Sequence, residues 1–329
     1  MAKQKIDTLI PSILATEEGL KPSYSMIRQG TVTNQLTKTK PSTKRNTTID
    51  PITGTATITQ GSLTITIPHF EELMSFKTST HQLLDALTEV FTAQGASTPA
   101  VSLSLEEYMS KRGLKDRKEA RKQADSDLET LFNAKISFKE KRRKGGEQDY
   151  HDMRIIDSKG IQNGVINVTF GSTFSSVLSG YPVMPYPTQL YRLGKKNPNS
   201  YYFLRKLSEH KNMNIETANE DIIAVKTLLT STPNLPTYEE VMATGRQITQ
   251  RIIEPFERDM NALEDTLSWH YCHRNGEPLT DEELSKELTY EAFEKLLIKA
   301  TWREDYPENE ARRKEIRAKR AKKRTSKKK

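Results

Sequence analysis

Gln247, Gln250, Arg251 and Arg258 recur within one short stretch that also carries Ile248, Ile252, Ile253, Phe256, Met260 and Leu263. In the major groove of a duplex, an arginine fork matches the O6 and N7 acceptors of guanine, and a glutamine amide matches N6 and N7 of adenine. At about 3.6 residues per turn, the apolar set falls on one side of a helix. The donors, preceded by Arg246 and interrupted by Glu254, fall on the other. A merely solvated polar face has the same pattern. What decides between the two is where the helix stands in its domain.

A second basic set lies upstream. Arg117, Lys118, Arg121 and Lys122 open another predicted helix, within residues 112–124, where six Lys/Arg face two acids. Lys141, Arg142, Arg143 and Lys144 cluster in a loop between strand-like segments. Such cations suit phosphate oxygens more than base edges. Solubilising surface charge is the plain alternative.

The net charge of +8 is unevenly placed: residues 312–329 hold 12 Lys/Arg and one acid, a net +11, which leaves the rest of the chain at −3. Affinity of the body for nucleic acid therefore has to come from local patches, while the tail is a sequence-independent phosphate binder. It also has the look of a nuclear localisation signal. One cysteine, Cys272, permits no intramolecular disulfide and suits a reducing compartment. No stretch approaches the roughly 18 apolar residues of a membrane span, so the expectation is a cytoplasmic protein with no membrane partner.

The elements that must position these residues can be read from periodicity and caps. Residues 1–53 are rich in Thr, Lys, Ser, Pro and Asn and predict a flexible arm. Residues 55–67, TATITQGSLTITI, alternate about Gln60-Gly61 as a hairpin does. Ser79 with Gln82, Ser104 with Glu107, and Asp116 with Glu119 have capping-box spacing. They predict a helix burying Leu83, Leu84, Leu87 and Phe91, a second ending at Gly113, and a third burying Ala120, Ala124, Leu128 and Leu131. Strand-like segments at 135–138, 153–156 and 165–170 follow, with the loop of Lys141 to Lys144 as the wing.

Four prolines within residues 180–198 predict a linker. The order then repeats: helices at 200–211 and 219–230, a long third helix opened by Thr237 with Glu240 and ending near Leu263, then strands at LSWHYC and KLLIKATW around an acidic insertion, TDEELSKEL. Helix, strand, helix, helix and hairpin is the winged-helix arrangement, a helix-turn-helix variant. The expected fold class is thus α+β with two tandem winged-helix domains. The expected divisions are a flexible N-terminal arm at 1–53, a first domain at 54–180, a linker at 181–198, a second domain at 199–303 and a basic disordered tail at 304–329.

The run Gln250-Arg251-Ile252-Ile253-Glu254-Pro255-Phe256, followed by Glu257-Arg258-Asp259, resembles a motif of plasmid-type replication initiators, the iteron-binding Rep family. Their second recognition helix carries a basic residue, a hydrophobic pair, an acid, a proline and a further hydrophobic residue. Tyr201-Tyr202-Phe203-Leu204-Arg205-Lys206-Leu207 looks like the helix that opens their second domain. A proline inside a helix costs about 3 kcal/mol, so Pro255 is the more telling match. This chain departs from the pattern in Gln250, which stands where a basic residue is usual, in its acidic wing insertion and in its tail.

The resemblance implies binding of double-stranded DNA at origin repeats and recruitment of host replication proteins such as a helicase or initiator. It also implies repression of the chain's own promoter, a bacterial cytoplasm, and often a homodimer formed through the first domain. A transcription repressor of a mobile element is the alternative.

A nicking, rolling-circle enzyme would need a His-hydrophobic-His metal pair with a nucleophilic tyrosine. His270-Tyr271-Cys272-His273 has two intervening residues on a strand, which sends the histidines to opposite faces. There is no GxxxxGK[ST] phosphate loop. The expectation is no enzyme, no metal and no cofactor.

Overall fold

The computed structural model describes residues 23–36, 47–60, 63–68, 76–140, 149–194, 196–245, 247–285, 289–307, 313–314 and 316–318. The chain divides into two compact units between Gly194 and Lys195, and each mixes helices with antiparallel sheet.

The first unit runs β1 (Tyr24–Arg28), α1 (Thr31–Leu36), β2 (Thr47–Ile49), β3 (Ala56–Gln60), β4 (Leu63–Ile67), α2 (Thr78–Ala93), β5 (Ala100–Ser104), α3 (Leu105–Arg112), α4 (Arg117–Asn133), β6 (Lys135–Glu140), β7 (Asp149–Arg154), β8 (Ile156–Gln162), β9 (Val165–Phe170), α5 (Ser172–Ser179) and β10 (Val183–Pro187). The predicted helix order stands. Ser104 and Asp116 cap α3 and α4 by accepting from the Glu107 and Glu119 N–H groups. Leu83, Leu84, Leu87 and Phe91 of α2 are buried with Ala120, Ala124, Leu128 and Leu131 of α4. Phe91 meets Phe170 of β9 edge-on at 5.6 Å, which joins helix and sheet. The first predicted cap is different: Lys77 is the N-cap of α2, Ser79 donates to Asp127, and Gln82 donates to the Leu190 and Leu193 carbonyls.

Three further expectations are corrected here. Part of the predicted flexible arm is folded: β1 and α1 bury Tyr24, Ile27, Val32 and Leu36. Part of the predicted linker is a strand, because β10 pairs antiparallel with β1. Pro185 and Pro187 are tolerated there because the ladder bonds fall on their neighbours. Gln29 donates to the Pro182 carbonyl and Thr188 to the Ser23 carbonyl. That alternation leaves both prolines opposite Met26 and Tyr24, at positions whose N–H would not join the ladder.

Finally, the wing is misassigned by sequence. β6 and β7, which flank the Lys141 to Lys144 loop, belong to a five-stranded sheet ordered β2-β3-β4-β6-β7. The hairpin beside the three helices is β8–β9, in a sheet ordered β5-β9-β8. It turns at Asn163 and Gly164, both with positive φ (50° and 77°), as a tight two-residue turn requires.

The second unit contains α6 (Ser200–Met213), β11 (Ile222–Ala224), α7 (Val225–Ser231), α8 (Tyr238–Thr244), a π-helical turn (Thr249–Ile253) running into α9 (Glu254–Asn261), then β12 (Leu267–Cys272), α10 (Asp281–Ser285), α11 (Tyr290–Lys295) and β13 (Leu297–Trp302). Its sheet order is β11-β13-β12, so the first, third and second strands neighbour one another as they do in β5-β9-β8. The helix predicted at 219–230 begins later, because Ile222, Ile223 and Ala224 pair with β13 before α7 starts.

The long predicted helix is broken at Gly245, whose φ of 125° is open to few side chains. Thr237 and Glu240 form a reciprocal capping box at the start of α8. Thr237→Ala should therefore lower the stability of this unit by about 1 kcal/mol, measured by urea unfolding. An unchanged midpoint would show that the box contributes nothing.

Candidate nucleic-acid interface

Two neighbouring features of the chain shape the helix of residues 248–261. Pro255 has no N–H to give to the Arg251 carbonyl, and in a regular helix its ring would strike that oxygen. Immediately before it the backbone widens: the Glu254 N–H reaches back five residues to the Thr249 carbonyl. One π turn takes up the proline without ending the helix.

The apolar side of this helix is packed as the spacing predicts. Ile252, Ile253, Phe256, Met260 and Leu263 are buried, and Ile248 is half-buried. Phe256 lies 4.9 Å from Phe203 and 5.5 Å from Phe293, with the latter pair edge-on.

Opposite them, Gln247, Gln250, Glu254 and Arg258 are exposed. Arg251 is half-buried, and its guanidinium donates to the Thr244 hydroxyl at the end of α8. Arg258 is paired with Asp259 at 2.7 Å while its own side chain stays 55% exposed. Thr244 and Asp259 were not anticipated. Arg258 and Asp259 are adjacent in sequence, and nothing in the pattern distinguishes such a pair from two independent surface charges.

In the first unit Arg117, Lys118, Arg121 and Lys122 are exposed along the first turns of α4. The fold brings two of them to the true wing rather than to the predicted one. Arg121 donates to the Ile161 carbonyl at the end of β8, and an Arg117 Nη lies 2.5 Å from where a Cβ on Gly164 would stand. Arg117 also pairs with Glu106. Gly164→Ala should displace Arg117 and strain the turn, lowering the thermal midpoint of this unit. An unchanged midpoint would show that the turn has room for a side chain. Arg246, Lys141, Arg142, Arg143 and Lys144 lie outside the described residues.

No protein-family model matches the chain, and no curated protein sequence matches it. Solved structures do. The WH1 domain of MSBI1.176, a replication protein isolated from a multiple sclerosis patient, is similar over 33% of this chain and 84% of that domain, at 16% identity and a TM-score of 0.25. Two structures of domains 2 and 3 of RctB are similar over 82% and 83% of this chain and 98% of each of those chains. Both are 11% identical, with TM-scores of 0.45 and 0.40.

Around β12 the histidine pair falls apart. His270 is half-buried within the strand, and His273 lies beyond its end with Nε2 3.4 Å from Glu283. Tyr271 donates to Glu257 on α9 at 2.9 Å, and burial followed by that carboxylate pushes the phenol's pKa up. It is a sheet-to-helix tie.

The start of the basic tail is a further correction. Arg313 and Arg317, four residues apart, both reach Glu216, and Arg313 also reaches Glu220. The same loop holds Lys211 against Glu220 and Asp221. Arg317 first, then Arg313, hold the Glu216 carboxyl down at about 2. A carboxyl with a depressed pKa supports the contact above its ordinary value of 4.5 and loses it as pH falls towards 2. Acidification from pH 5 to 2 should therefore release this segment, read as a loss of amide protection at residues 313–318 relative to an unfolded peptide at the same pH. Unchanged protection across that range would rule out the carboxylate as the anchor. No helix among the described residues is long and apolar enough to cross a membrane.

Proposed function

We propose that this chain is a non-enzymatic replication initiator that binds duplex DNA sequence-specifically through two tandem winged-helix domains. The observation that carries the DNA-binding reading is the helix of residues 248–261. It is the last helix before the paired strands β12 and β13, following α6, β11, α7 and α8, and it is packed along Ile252, Phe256 and Met260 with Gln247, Gln250 and Arg258 turned to solvent. That is the position from which a winged helix enters the major groove. In the first unit α4 likewise closes a helix–strand–helix–helix run (α2, β5, α3, α4), and Lys118 and Lys122 exposed on it support phosphate contacts there.

The replication role rests on the resemblance of the Gln250 to Phe256 run to plasmid-type initiators, with origin repeats, host replication proteins and a homodimer as the implied partners. On this reading the protein acts in a bacterial cytoplasm, on a plasmid or related element, without metal or cofactor.

The test is nuclease footprinting on DNA flanking the chain's own gene, with wild type and Arg251→Ala. Protection of repeated sequences is expected, weakened about tenfold or more by the substitution, the scale of one bidentate base contact. No protection, together with replication that persists in the variant, would overturn the proposal. Protection without any support of plasmid replication would leave a repressor.

A further inference from the structure

Asp259 is completely shielded from solvent, yet its partner Arg258 is mostly exposed. The carboxyl is fully used. One oxygen accepts from the backbone N–H and the side-chain amide of Asn199, at 2.9 and 2.7 Å. The other accepts from Nε and Nη2 of Arg258, both at 2.7 Å. Asn199 is itself held, because its amide oxygen accepts from the Thr232 hydroxyl. Ser200 further ties α6 to the same place by donating to the Asp259 carbonyl at 2.7 Å.

A guanidinium has five N–H donors in a rigid plane. Here the edge formed by Nε and Nη2 is spent on a buried anchor. The remaining hydrogens, two on Nη1 and one on Nη2, meet no other group among the described residues. They form the end-on fork, and fixing one edge of the plane fixes the direction of the other. An unrestrained arginine must surrender rotamer freedom to present that fork. This one has surrendered it already.

We infer that Asp259 is a positioning residue for DNA recognition: it aims the end-on fork of Arg258 at a pair of acceptors on the duplex. The ligand chemistry is two acceptor atoms side by side, either O6 and N7 of one guanine or two oxygens of one phosphate. The inference rests on the reading of this helix as the DNA-facing one.

The experiment selects duplexes from a randomised 30-base-pair library with the wild-type protein, then measures affinity for the selected duplex by fluorescence anisotropy. Asp259→Asn, Arg258→Ala and the double variant are compared, with folding checked by circular dichroism. Each single change should weaken binding about tenfold or more, as losing one bidentate contact does. The double variant should bind like Arg258→Ala alone, because Asp259 acts only through its neighbour. A folded Asp259→Asn protein that binds as wild type does, or a double variant whose loss is the product of the two single losses, overturns the inference.

If Asp259→Asn fails to fold, Arg258→Lys decides. It keeps a cation beside Asp259 but has no fork, so undiminished affinity for the selected duplex would overturn the inference and a tenfold loss would support it. Repeating the comparison on duplexes with each guanine replaced separates the two sources: a loss confined to guanine-bearing sites marks a base contact, and a uniform loss marks a phosphate. Should wild type select and bind no duplex at all, it is the DNA-binding function that fails. Tight wild-type binding indifferent to Asp259 removes this inference alone.

Discussion

Phe256→Ala is expected to cost the second unit about 3–5 kcal/mol, the range for deleting a fully buried aromatic ring. The ring has no solvent exposure and stands between Phe203 of α6 and Phe293 of α11. It therefore joins the opening helix, the candidate recognition helix and the insertion between β12 and β13. Truncation leaves a void that three separate elements would have to close together, and aromatic pair geometry is lost in addition to buried area. The measurement is urea unfolding, with amide exchange assigning the loss to residues 200–302. A loss under about 1.5 kcal/mol, the size of a volume-conserving core change, would mean that the ring is not central to this core. DNA binding should fail along with the fold, so the variant tests the scaffold and not the contacts.

Removing residues 312–329 is the other large perturbation. Of the 12 cations in that segment, Arg313 and Arg317 are engaged with Glu216 and Glu220. That leaves up to ten for phosphates. Each phosphate neutralised contributes about 0.9 to the slope of log affinity against log salt, so the deletion should flatten the slope by up to about 9. Affinity for all duplexes should fall together at low salt, while the ranking among sequences is kept. Arg313→Ala with Arg317→Ala should change the slope by less than about 2, since both side chains are already paired. If the deletion erased sequence preference, specificity would lie in the tail and the recognition-helix reading would fall.

Local chemistry was legible in the sequence and long-range pairing was not. The caps at Ser104, Asp116 and Thr237 could be read because each depends on residues three positions apart. The packed side of Ile252, Phe256 and Met260 could be read because one helix dictates its own period. By contrast, β1 and β10 are partners across more than 150 residues, one in a polar stretch and the other between prolines, and neither has a period that announces a strand. The wing was misplaced because β6–β7 and β8–β9 are both good hairpins. Only pairing with β4 or with β5 tells them apart. Tail residues 313 and 317 look like free charge until Glu216 and Glu220 are brought beside them. For the candidate interface, exposure of Gln250 and Arg258 followed from the wheel, whereas the tethering of Arg251 to Thr244 and of Arg258 to Asp259 depends on packing that no spacing encodes.

The widened turn before Pro255 makes the length of this segment matter as much as its composition. A π turn contains one residue more than the α turn it replaces. Deleting a single residue from Thr249–Ile253 would therefore close the widened turn to an ordinary α turn. The hydrophobic seam would stay aligned across the deletion, and the cost would fall on Pro255, whose ring would meet a carbonyl it now avoids, about 3 kcal/mol or more. Insertions and deletions here should be far less tolerated than substitutions at Gln250, and deep mutational scanning of the helix would show that asymmetry directly.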